Sequence, residues 1–212
     1  VIEAKYNREA WQQLLHDIFL NKVQFYNSTS EVKVNSRLAK SALYIGRISL
    51  SDGESLGVYE VELSDKVDIE RNKRGIRDML TKDWKDMGHA GAFMFCYRKN
   101  ESVLRFSYVS GTWGFNKKGD YEKLSTNTKR YTYLLGEGRG CRTAIEQFSA
   151  LKVSKQTLSD VTAAFSVEAL TKQFYKDLFD WYQWAVDPAS GVYFPNNTST
   201  EDDDREDIET KI

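Results

Sequence analysis

Two glutamates one residue apart, Glu60 and Glu62, lie in the run Gly57-Val-Tyr-Glu-Val-Glu-Leu-Ser64, whose composition and alternation predict a β-strand. Alternate side chains of a strand share a face, so both carboxylates point the same way, about 7 Å apart at Cα. Like charges that close repel unless a cation lies between them. A divalent ion on a phosphodiester is one such cation, so metal-assisted hydrolysis is the chemistry this spacing allows, with Glu60 and Glu62 as its ligands. Asp52, in the turn before the strand, is the nearest further acid. Arg71, Lys73, Arg74 and Arg77 follow directly and suit contacts to a phosphate backbone. The structural alternative is a solvated sheet face with arginine partners.

The elements that must position these residues follow from periodicity and turn signals. Asn7 reads as the cap of a helix with Trp11, Leu14, Leu15 and Ile18 on one side. A short strand is expected near Val23–Tyr26. Leu43–Leu50 and Gly57–Ser64 read as a hairpin across Ser51-Asp-Gly-Glu-Ser-Leu56, which would set Glu60 opposite Arg47 and Glu62 opposite Ile45. Residues 69–84 read as the basic helix, facing the carboxylates. A second hairpin is expected over Ala92–Arg98 and Ser102–Ser110, then a lysine-rich loop over 117–130 and a strand at Tyr131–Leu135. Gly136-Glu-Gly-Arg-Gly140 opens a helix to about Leu151. From Ser154 onward the pattern is helical, with Leu170, Phe174, Leu178, Trp181 and Ala185 recurring at helical spacing. The organisation expected is an α/β domain over residues 1–153, then a helical arm and acidic linker over 154–212.

With 41% hydrophobic and 13% aromatic residues, the 212-residue chain has material for a sizeable core. No apolar run approaches the roughly 20 residues of a membrane span, so no membrane partner and a cytoplasmic location are expected. Cys96 and Cys141 form no disulfide framework, and His16 and His89 stand too far apart to suggest a histidine metal site. The start at Val1 suggests a piece of a longer protein. The net charge of −1 conceals an acidic end: residues 201–212 carry seven acids and two bases, leaving 28 bases and 24 acids in residues 1–200. Nucleic acid is therefore an allowed partner.

A second basic cluster over residues 117–142 includes Arg139 and Arg142, with Trp113, Phe115 and Tyr121 nearby, a mixture suited to a DNA-tracking groove or to an ordinary solvated surface. The glycine run 136–140 resembles the loop that cradles S-adenosylmethionine, but no βαβ unit follows, so a tight turn and helix start is the reading taken. Arg139 and Arg142 beside it suit phosphate contacts. The prolines are Pro188 and Pro195, and neither lies in the Asn/Asp-Pro-Pro-Tyr/Phe motif of amino-methyltransferases.

The order of elements around Glu60-Val-Glu62 resembles the core of the PD-(D/E)XK nucleases, a mixed sheet flanked by helices. That resemblance implies magnesium held by Glu60 and Glu62, with glutamate at the place usually held by lysine. It also implies an aspartate near the start of the first hairpin strand, where this chain has Ser41, Ala42 and Leu43. More specifically, Asp52-Gly53, Tyr59-Glu-Val-Glu62, Ile69-Glu-Arg-Asn72, Gly75-Ile-Arg77, Leu104-Arg-Phe-Ser107, Lys129-Arg-Tyr-Thr-Tyr-Leu-Leu-Gly136, Cys141-Arg-Thr-Ala144 and Phe165-Ser-Val-Glu-Ala-Leu-Thr-Lys-Gln-Phe174 resemble the amino-terminal region of large bacterial type IIG restriction–modification proteins. The resemblance implies a nuclease-like front end acting on double-stranded DNA in host defence. It also implies an intramolecular adenine-specific methyltransferase domain beyond the residues here, which alone would use S-adenosylmethionine. Three readings stay open: a magnesium-dependent endonuclease domain, a non-catalytic DNA-docking or domain-coupling module of the same fusion, and a structural or protein-interaction domain with the terminal aromatic helix as interface.

Overall fold

The Asn7 side chain accepts the Ala10 amide at 2.8 Å and starts helix α1 (Arg8–Phe19). The computed structural model describes residues 1–70, 74–115, 121–125 and 131–191. Arg71 and Lys73 lie outside the described residues. After α1 come β1 (Val23–Glu31), β2 (Ala39–Ser49), β3 (Ser55–Leu63), α2 (Arg74–Asp86), β4 (Gly91–Tyr97), β5 (Leu104–Phe115), β6 (Tyr121–Ser125), β7 (Thr132–Leu135), α3 (Arg142–Val153), α4 (Leu158–Phe165) and α5 (Val167–Val186). The result is a mixed α/β fold. Strands run in the order β1-β2-β3-β4-β5, antiparallel except for the parallel pair β3–β4 that α2 connects. The long β5 takes β7 along Leu104–Ser107 and β6 along Gly111–Phe115.

Alternation along the strands sorts the core into two layers. Tyr44, Tyr59, Val61, Leu63, Met94 and Cys96 pack beneath Leu80 and Trp84 of α2, with Val67 and Ile69 from the segment before it. On the opposite face Trp11 of α1 lies against Phe95 and Phe106, and Phe165 of α4 against Phe93, Phe106 and Phe148. Burying aromatic side chains of this size contributes about 1.5–3 kcal/mol each relative to exposure.

Several expectations are corrected. The first hairpin turns more tightly than a six-residue loop allows: Leu50 donates to Glu54 O at 2.7 Å, and β3 already begins at Ser55. A bulge between Tyr44 and Gly46 absorbs one more residue, so Glu60 pairs with Leu43 and Glu62 with Ser41 rather than with Arg47 and Ile45. Ile69 and Glu70, expected as the first residues of the basic helix, form a turn instead, in which Asp68 Oδ1 accepts the Glu70 amide at 2.8 Å. A strand, β6, occupies part of the expected lysine-rich loop. The compact unit runs from Val1 to Val167, and the second unit from Glu168 to Ile212. The boundary expected near residue 153 thus falls inside the first unit, since Val161, Ala164 and Phe165 of α4 are buried in it. No helix among the described residues is long and apolar enough to cross a membrane.

Candidate functional site

Glu60 and Glu62 do share one face of β3, the face of α1 and of Phe93, Phe95 and Tyr97 on β4. Tyr59, Val61 and Leu63 occupy the other, under α2. The expected juxtaposition of the carboxylates with the basic helix is therefore corrected: Arg74 and Arg77 belong to an element on the opposite side of the sheet. The physical reason is that Leu80 and Trp84 commit α2 to the apolar face of β3.

Glu60 is buried, and its oxygens are engaged. Oε1 accepts from the Tyr97 hydroxyl at 2.8 Å, and Oε2 accepts from the Tyr6 hydroxyl at 3.0 Å and from Arg8 Nε at 2.5 Å. Tyr6 stacks on Tyr97 with ring centroids 4.5 Å apart. Burial first, then the Glu60 charge and hydrogen bond, push the Tyr6 phenol far above its ordinary range, while burial and then the Glu60 hydrogen bond raise Tyr97. Both phenols stay protonated and donating. The Glu60 hydrogen bond raises the Arg8 guanidinium as well, so the cation is permanent. Glu62 sits further along the face, 3.2 Å from Lys99 Nζ and 3.9 Å from Lys40 Nζ, and Lys40 also binds Asp65 at 2.8 Å.

Asp52 is no third ligand. It lies in the turn before Ser55, and Ser55 itself stands five residues ahead of Glu60 along β3, about 16 Å at the rise of an extended strand. Its Oδ2 accepts the Leu158 amide at 2.7 Å and Oδ1 the Glu54 amide at 3.3 Å, so it caps the start of α4. Opposite the glutamates stand Ser41 and Leu43, where an aspartate would complete the set. Magnesium demands near-octahedral oxygen ligation with several open positions. A buried carboxylate already engaged by a guanidinium and two phenols, beside another bridged by ammonium groups, does not fit that demand. Among the described residues no group of three His, Cys, Asp or Glu side chains could hold a metal ion.

The other basic candidates also have carboxylate partners. Arg139 Nη2 binds Glu70, and Arg142 Nε binds Glu146 at 2.8 Å one helical turn on. The glycine run before α3 is a tight turn: Gly136 has φ +117°, and a Cβ there would meet the Ser102 carbonyl at 2.1 Å. The sequence reading missed Tyr6, Arg8 and Tyr97. Tyr97 continues the Phe93–Phe95 alternation and was accessible in principle; Arg8, 52 residues from Glu60, gave no local signal. His89 is buried in a separate network, with Nδ1 2.8 Å from Ser55 Oγ and Nε2 3.0 Å from Tyr44 Oη. Set beside protein-family models, curated proteins and solved structures, the chain has no significant match.

Proposed function

We propose that this chain is the amino-terminal, nuclease-like part of a DNA restriction–modification protein, and that it acts as a non-catalytic DNA-docking and domain-coupling module. The order α1-β1-β2-β3-α2-β4, with β4 parallel to β3, supports the PD-(D/E)XK-like reading. The observation that carries the non-catalytic assignment is the Glu60 carboxylate, which is closed by Arg8, Tyr6 and Tyr97. With both Glu60 oxygens engaged and buried, and with Ser41 and Leu43 facing the pair, the ligand set that would activate a metal-bound water is incomplete. The experiment is cleavage of unmodified duplex DNA by the parent protein with magnesium, comparing wild type and Glu60→Ala at matched folded fraction. No cleavage by either protein is expected; a cut that depends on Glu60 overturns the assignment.

Coupling has its own support. Helix α5 exposes Phe174, Tyr175, Phe179, Trp181 and Trp184, each more than half accessible, aromatic surface of the kind that interaction sites carry. On this reading its partner is the methyltransferase part of the same protein. Co-purification of the chain with a separately expressed methyltransferase part, weakened by Trp181→Ala together with Trp184→Ala, is the expected result.

A further inference from the structure

Arg105 extends from β5 on the side of Cys96, and only 2% of its surface is accessible. Its Nε donates to the Ile69 carbonyl at 2.5 Å, while Nη1 and Nη2 have no hydrogen-bond partner among the described residues. Burial pushes this guanidinium below its usual range, and the charges of Asp68 and Glu70 act against that shift, which places both carboxylates within electrostatic range. A planar guanidinium with a free pair of donors matches one carboxylate bidentately. Leaving those donors buried and unmet is costly.

Glu70 is adjacent in sequence to the carbonyl that Arg105 already binds, yet its carboxylate is turned outward onto Arg139. Both members of that outer pair are more than a third exposed, and exposed pairs contribute little in water. Turning Glu70 inward would desolvate its carboxylate and satisfy the buried guanidinium, so the cost of the move is offset by the bonds it makes. We infer that Glu70 is a transferable counter-ion, which holds Arg139 in the free protein and passes to the Arg105 Nη pair when Arg139 takes a phosphate of a DNA backbone. The ligand half rests on the DNA-docking reading; the exchange itself does not.

Thermal unfolding of the full chain tests the exchange without DNA. For an ordinary ion pair, Glu70→Gln lowers the melting temperature less once Arg139 is alanine. For a transferable carboxylate it lowers it more, because Glu70 has moved to the buried partner. An equal or smaller loss in Arg139→Ala overturns the inference. Arg105→Met abolishes the excess loss; should that variant fail to fold, the sign of the first comparison decides alone. With a short duplex as probe, Glu70→Gln tightens binding several-fold, and Arg139→Ala lowers the salt slope by about 0.9, one phosphate contact. Arg105→Met weakens binding although its side chain is buried, and adding Glu70→Gln restores it. Duplex binding with an unchanged slope in Arg139→Ala overturns the ligand half. No binding by wild type removes the DNA-docking reading, while the thermal comparison still decides the exchange.

Discussion

Glu60 shows how a residue type that suggests catalysis can be used for cohesion. Three donors converge on its buried carboxylate, one from β4 and two from the segment that opens α1, so the contact ties the amino terminus to the middle of the sheet. Glu60→Ala leaves Tyr6 and Tyr97 without their acceptor and is expected to lower stability by about 1–3 kcal/mol in urea unfolding. Glu62→Ala, which removes exposed lysine partners, is expected to change it by less than about 1 kcal/mol. His89 supplies a pH test. Burial, then the nearby Arg47 charge, hold its pKa below the ordinary 6.5, against a smaller opposing effect of Asp83. The unfolded chain then binds the proton more readily than the folded one, so this contribution is complete above 6.5 and is lost as pH falls through the folded value. The urea midpoint should drop between about pH 7.5 and about pH 5.5, and drop less in His89→Gln. Cys96 is likewise inert: burial pushes its thiol up to about 12, so alkylation at neutral pH should follow unfolding.

At the scale of elements, the turn between β2 and β3 is fastened to the α3–α4 junction. Asp52 caps α4, Ser51 Oγ donates to the Lys155 carbonyl at 2.5 Å, and Lys22 reaches both Ser51 and Gln156. Asp52→Ala should therefore cost about 0.5–2 kcal/mol, as lost helix caps do, and leave any DNA binding intact. A third-ligand role would reverse that pattern, with stability kept and activity lost. Helix α2 is set by Leu80 and Trp84 on the apolar face, aided by the Tyr59 hydroxyl donating to Asp83 at 2.7 Å. Those contacts leave the face carrying Glu60 and Glu62 to α1, which brings a single arginine to it in place of a basic run.

For the whole molecule, the division after Val167 makes a direct prediction. A chain ending at Val167 keeps Phe165 in the aromatic layer and the Tyr133 hydroxyl on the Ala164 carbonyl, and should melt cooperatively by circular dichroism. A chain ending at Val153 removes both and should lose that transition, since deleting a buried phenylalanine alone costs about 3–5 kcal/mol. Sequence by itself determined the strands around Glu60, the shared face of the two glutamates, the helical character after Ser154 and the tight turn at Gly136, because periodicity and turn chemistry are local properties. It could not decide which helix covers which face of the sheet: α1 and α2 are both amphipathic, and only docking of Trp84 into the core cluster that holds Tyr59, and of Trp11 against Phe95, separates them. Nor could it fix the register, which a three-residue difference at the turn and one bulge shifted beyond any local signal. The meeting of Arg8 and Tyr6 with Glu60 belongs to tertiary structure alone, since it joins groups more than fifty residues apart and depends on where the chain enters the fold.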